Sequence, residues 1–337
     1  VPTGRPPGAG ILPRLSGRVA RAVWAAALLA GTVGVALPWT PLDVPAWVPL
    51  AGAVTVTTTY TFGLAVRTGG RPLISGGLAL ALSAAAVLSE SAVLLAGATV
   101  ATAVVAAVLG VLATKPAART VLVVREVLVA TGLAFVGALA VRAYGAEVSL
   151  QRTGYLVLGL ALLAALALVY RLGAGLHGLG RRGAVMIVSG VALLTVILAY
   201  TEALSRWGSP GMLESLEEAV AVIHDTLGAV PRPIEVLLGV PALAWGVSTR
   251  ARRRQGWWVC AFGAAGLAAV AVSLLDPDKA LLEGVLSVAY SVVLGLLVGY
   301  AVIRADLFLT GARGRRARRL EELAAHRPEA GRMQPLL

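Results

Sequence analysis

Residues 71–119 read RPLISGGLALALSAAAVLSESAVLLAGATVATAVVAAVLGVLATKPAAR. Between Arg71 and Lys115 the stretch carries a single charge, Glu90. The two apolar runs it separates, 73–89 and 91–113, each reach the length that spans a bilayer, about 17 to 25 residues. A one-residue polar break between them predicts a tight helical hairpin. Arg67, Arg71, Lys115 and Arg119 flank its open end, and a carboxylate marks its tip.

The rest of the chain repeats this arrangement. Apolar segments fall at 22–39, 46–66, 73–89, 91–113, 120–141, 153–170, 183–204, 234–249, 256–275 and 280–303. The composition agrees: 58% of the 337 residues are hydrophobic and 14% charged, with a mean hydropathy of +0.84. A soluble domain carries roughly 25% charged residues. The expectation is an all-α, polytopic integral membrane protein of ten transmembrane helices. It divides into a disordered basic N-terminal segment at 1–21, a membrane domain at 22–304 and a basic cytoplasmic tail at 305–337. The net charge of +12 does not point to nucleic acid, because the arginines cap apolar segments instead of covering one soluble face.

Orientation follows from the breaks. With the N-terminus inside, 24 of the 29 basic residues fall in inner segments, while 12 of the 17 acidic residues fall outside. The positive-inside rule then places both termini in the cytoplasm. The excess of Arg over Lys, 27 to 2, suits a GC-rich bacterial genome and hence a bacterial plasma (inner) membrane. Arg14, Arg18 and Arg21 ahead of a short apolar core ending at Gly34-Val35-Ala36 also fit a cleaved signal peptide. In that reading nine helices remain.

The longest outer break, 205–233, contains one more helix, near 210–228. Ser209 suits an N-cap and Pro210 the first helical position. Leu213, Leu216, Val220, Ile223 and Leu227 form an apolar stripe. Glu214, Glu217, Glu218 and Asp225 form an acidic face, which suits docking on protein better than on anionic lipid. It is either an amphipathic connector without a specific role or a docking helix, whose partner would be the protein's own outer surface or another membrane or extracellular protein. At the other end, Arg313, Arg315, Arg316, Arg318 and Arg319 form a basic run suited to anionic headgroups on the cytoplasmic side.

Polar residues within spans are the candidate site. Glu283, Ser287, Tyr290 and Ser291 share one face of the last span and would line a polar cavity or bond to neighbouring helices. Glu90, Glu202 and Glu235 stand at outer ends of other spans, where with Glu283 they could form an acidic mouth or remain separate wet carboxylates. Thr58 belongs to a run with Thr55, Thr57, Thr59 and Thr61, suited to interhelical bonding or to a substrate path. Arg125 and Glu126 enter the fifth span by one turn, read as a structural pair. Pro241, with Gly239 nearby, predicts a kink. A lone Cys260 and three scattered histidines give no metal-ligand spacing, and no cofactor motif occurs.

In helix number and orientation the chain resembles the drug/metabolite transporter superfamily. That resemblance implies two five-helix halves, about 22–141 and 153–303, in inverted repeat. The 205–233 insertion has no counterpart in the first half, and no site residue carries over. Two other classes fit the sequence. One is a non-catalytic scaffold, sensor or subunit of an envelope-assembly complex; Gly299–Arg304 with Leu307 and Phe308 is similar to the exit helix of multi-pass sensor-kinase input regions, though no kinase follows. The other is an enzyme acting on a lipid-linked substrate at the outer face, with Glu202, Glu235 or Glu283 as base.

Overall fold

The computed structural model describes residues 17–171, 180–207, 210–252, 256–310 and 329–336. Their regular secondary structure is all helical, with no strand among the described residues. The helices are α1 (Gly17–Ala36), α2 (Trp47–Arg67), α3 (Pro72–Ser89), α4 (Ala92–Ala113), α5 (Thr120–Ala143) and α6 (Leu150–Val169). They continue as α7 (Gly180–Trp207), α8 (Pro210–Leu227), α9 (Val240–Arg250), α10 (Gly256–Ala271) and α11 (Leu281–Thr310).

The hairpin forms as its sequence dictates. α3 ends at Ser89, Glu90 adopts a left-handed conformation with φ +52, and α4 starts two residues later. α1 begins at Gly17, inside the segment expected to be disordered, and α11 runs six residues past the expected end at 304.

Six helices have the length and composition to cross a membrane: α1, α3, α4, α5, α6 and α11. The other four expected spans fall short for identifiable reasons. α2 is long enough but is diluted by its threonines. The apolar parts of α7 and α10, Ile187–Tyr200 and Gly256–Ala271, are short. The eighth expected span divides into a π-helical turn, Glu235–Gly239, and the short α9. The break lies just before Pro241, whose ring and missing N–H cannot continue the regular ladder, and the wider turn accommodates both.

The packing is that of helices in lipid. Buried positions are small: Ala103, Ala106, Ala107, Ala130, Ala134, Ala161, Ala264 and Ala265 are all inaccessible. Large side chains point outward, including Leu78, Leu82, Leu88, Leu156, Leu163 and Leu297. Lipid tails are as apolar as leucine, so nothing drives leucine inward, whereas small residues let helices approach closely. Gly239 and Gly266 meet backbone to backbone. A Cβ on Gly52 of α2 would fall 2.7 Å from the backbone N of Val35 in α1.

α10 is the axis of the bundle. Every residue in it but Ala269 is buried. It packs against α4, α5, α6, α7, α9 and the π-helical turn. A helix apolar on every side is one enclosed by protein or lipid, and here protein encloses it.

Candidate functional site

Three polar assemblies interrupt this apolar packing. The first lies inside the bundle. Thr57 Oγ1 is 2.7 Å from Thr102 Oγ1, 2.8 Å from Tyr144 Oη and 2.9 Å from the carbonyl of Ala53. If Thr57 donates to that carbonyl and accepts from the other two hydroxyls, all three protons are used. The same network borders a cavity of about 510 Å³ between α2, α3 and α4. Four hydroxyls line it, those of Thr57, Thr61, Ser75 and Ser83, among apolar residues such as Leu78, Leu82, Val93 and Leu94. Gly97, Ala101 and Val105, one stripe of α4, also line a second apolar groove of about 700 Å³ on the α6 side.

The second assembly closes one end. Ser287 donates to the carbonyl of Val230 at 2.7 Å, and Tyr290 to that of Leu227 at 2.9 Å. Ser291 Oγ accepts from the backbone N–H of Arg232 at 2.8 Å. The α11 stripe therefore latches the segment between α8 and the π-helical turn. Arg232 donates to Glu235 at 3.2 Å and to the carbonyls of Ala269 and Ser273. Glu235 is fully buried, and its Oε2 has no hydrogen-bond partner among the described residues. At the same end Arg142 donates to the carbonyls of Leu274, Asp276, Pro277 and Lys279. These two arginines are exceptions to the charge asymmetry, and both staple loops.

The remaining expected site residues are dispersed. Glu90 is exposed at the hairpin tip, while Glu202 in α7 and Glu283 in the first turn of α11 are half-buried. Thr58 is half-buried and its hydroxyl has no partner among the described residues; its neighbours Thr57 and Thr61 are the ones at the cavity. Glu214, Glu218 and Asp225 are exposed on α8, as are Val220, Ile223 and Leu227 of its apolar stripe. The side chain of Glu217, the N-cap position Ser209 and the basic run Arg313, Arg315, Arg316, Arg318 and Arg319 lie outside the described residues. Among the described residues no three His, Cys, Asp or Glu side chains are grouped to hold a metal ion.

The third assembly was not anticipated. The ends of α2, α4 and α9 and the start of α5 meet residues 329–336, which fold back against them. Arg67 is fully buried: Nε donates to Leu112 O at 2.7 Å, and Nη1 to the carbonyls of Ala330, Gly331 and Gln334 at 3.3, 2.7 and 3.1 Å. The backbone N–H of Leu336 returns a bond to Arg67 O. Arg250, also buried, lies 3.5 Å from the centroid of the Trp257 ring, bonds to Thr114 and pairs with Glu329. Glu126 is fully buried and accepts from Arg332 at 2.7 and 2.8 Å, from Arg125 at 2.8 Å and from the backbone N–H of Lys115 at 2.8 Å. The Arg125–Glu126 pair expected to be structural thus belongs to a larger network. Nothing in the spacing of Arg67, Arg250, Glu329 and Arg332 marks them, since each looks like one more charge at a helix end or in a tail.

No protein family, curated protein or solved structure matches this chain.

Proposed function

We propose that the protein is a transporter of small amphiphilic molecules in the bacterial plasma membrane. In this reading it crosses ten times with both termini in the cytoplasm, and its halves stand in the five-plus-five relation of drug/metabolite-transporter-like proteins. The supporting observation is the 510 Å³ cavity between α2, α3 and α4. Small-molecule sites are clefts of about 300–1,000 Å³, mostly apolar, with a few polar groups that fix orientation. Four hydroxyls on apolar walls match that description, and they suit a ligand with one polar end. The carboxylates Glu90, Glu202, Glu235 and Glu283 serve as outer-face groups for coupling or capture.

The test is dye movement in proteoliposomes. Gly97→Leu and Ala101→Phe fill the cavity from its lipid-facing ridge, where an added Cβ at Gly97 meets nothing within 4 Å. Transport of an amphiphilic dye by the wild-type protein, lost in both variants while thermal stability holds, supports the reading. Liposomes that behave like empty ones, or variants that transport normally, overturn it.

A second reading has its own observation. Ser287, Tyr290 and Ser291 are committed to latching the loop beyond α8, and α8 presents acidic side chains beside the exposed Val220, Ile223 and Leu227. That arrangement suits a non-catalytic subunit which docks a membrane or extracellular protein at α8. Recovery of one defined partner by cross-linking in native membranes, with no dye transport, would favour it. The enzyme reading draws least support, because its three proposed carboxylates, Glu202, Glu235 and Glu283, stand on three separate elements.

A further inference from the structure

Two fully enclosed guanidiniums are costly unless matched by anions. Arg67 and Arg250 lie close enough to repel each other, and Glu329 is the carboxylate that offsets them both. The other buried carboxylate in the network, Glu126, is already taken by Arg125 and Arg332. Arg67 meets only neutral acceptors, four backbone carbonyls, three of them from the tail. Two buried guanidinium nitrogens also stay without hydrogen-bond partners among the described residues: Arg67 Nη2 and Arg250 Nε. Residues 329–336 therefore fill this site without satisfying it.

Among the described residues, lifting the tail away would leave Arg67 with Leu112 O alone and Arg250 with Thr114, the Cys260 Sγ and the Trp257 ring. The vacated space would be walled by two fixed guanidiniums and an aromatic face, beside the Glu126 carboxylate, which keeps Arg125. A group with several charged oxygens would replace the three tail carbonyls and the Glu329 carboxylate together, and would reach the orphan donors. Phosphate has that geometry, and paired arginine forks recognise it well.

We propose that Arg67 and Arg250 form a binding site for a phosphate group, and that residues 329–336 are an internal competitor seated in it, with Glu329 in place of phosphate oxygens. The phosphate comes from an anionic lipid headgroup or from a soluble phosphate. The competitor belongs to the same chain, so it is present at high effective concentration and only a well-matched anion displaces it. This site is separate from the cavity of α2–α4 and does not depend on the transport reading.

The experiment uses the full chain with Pro335→Cys carrying a nitroxide; Cys260 is fully buried and stays unlabelled. Inorganic phosphate is titrated in detergent, against chloride at equal ionic strength. Separate samples are placed in nanodiscs of phosphatidylcholine, with and without phosphatidylglycerol. The expected result is a rise in the mobile fraction of the label with phosphate, with phosphatidylglycerol, or with both, but not with chloride. Response to phosphate identifies a soluble ligand, and response to phosphatidylglycerol a headgroup. Glu329→Gln loosens the competitor and lowers the midpoint of whichever titration responds by about tenfold, the loss of one charge-assisted bond. Arg250→Gln removes the response, and Arg67→Lys, a gentler change, weakens it. A label that stays immobile under every condition, or that chloride releases equally well, overturns the proposal. So does an unchanged midpoint in Glu329→Gln.

Discussion

Replacing Thr57 with Val keeps the shape of the side chain and removes the one hydroxyl on which two others converge. Tyr144 and Thr102 each lose the acceptor that stands 2.8 and 2.7 Å away. Both are buried, so water does not replace it. An interhelical hydrogen bond within a membrane protein contributes about 0.6 kcal/mol on average and at most about 1.7. Two such losses give a cost of about 1–2 kcal/mol, less whatever Tyr144 recovers by turning toward Thr102 or Ser83. Tyr144→Phe removes a single donor and leaves Thr57 bonded to Thr102 and Ala53, so it costs about 0.6 kcal/mol. The double variant Thr57→Val/Tyr144→Phe should cost less than the two single changes together, because the bond between these residues is lost only once. Equilibrium unfolding of the purified protein in mixed micelles with rising SDS, followed by circular dichroism, measures all four states. Strict additivity would refute the shared network. A Thr57→Val variant less damaging than Tyr144→Phe would show that Thr57 is not its hub.

Other consequences follow from single contacts. Glu90→Gly removes the left-handed strain at φ +52 and should raise stability by about 1 kcal/mol, read as a higher melting temperature. Gly52→Ala places a Cβ within 2.7–2.9 Å of backbone atoms of Val35, Gly31 and Gly34, so α1 must move away from α2. It should cost about 1–3 kcal/mol, whereas Gly97→Ala, with nothing in reach, should stay within about 0.5 kcal/mol of wild type. Arg232→Met leaves Glu235 buried without its cation and should cost about 3 kcal/mol or more, with substantial recovery on adding Glu235→Gln. A double variant no better than Arg232→Met alone would mean that the lost carbonyl bonds, not the stranded carboxylate, carry the effect.

What the sequence displayed and what it hid differ in kind. The hairpin was legible because one glutamate interrupts two uniform apolar runs, and α8 because its stripe and acidic face keep helical period. The charge asymmetry was legible too. Residues assigned to one side, Arg67, Lys115, Arg125 and Arg250, assemble at one end, and Arg142 and Arg232 at the other. The place of α10 was not legible, because Gly256–Ala271 has no polar face and periodicity cannot separate a lipid neighbour from a protein one. The stripe at 283–291 was visible, but its partners are the backbone atoms of 227–232, which carry no side-chain signature. The same holds for the tail: Arg67 recognises the carbonyls of Ala330, Gly331 and Gln334, and any short polar segment offers carbonyls.

The two sealed ends bear on how a ligand would reach the α2–α4 cavity. At the arginine-rich end, residues 329–336 cover the tips of α2, α4 and α9. At the other, Arg142 and Arg232 hold loops down over α10 and the π-helical turn. The axis of the bundle is occupied by α10 itself, buried along its length. The cavity walls, in contrast, carry residues exposed on the outer surface: Leu78 at 58%, Leu82 at 61% and Val93 at 80%. A path between α3 and α4 from the surrounding bilayer therefore passes only the apolar and hydroxyl side chains of the cavity wall, whereas an axial path breaks the Arg250–Glu329 and Arg332–Glu126 pairs at one end or the Arg232–Glu235 pair at the other. A ligand taking the lateral path must first partition into lipid. Amphiphiles should therefore compete for the cavity in order of their membrane partitioning, and a water-soluble analogue with the same polar end should not compete at all.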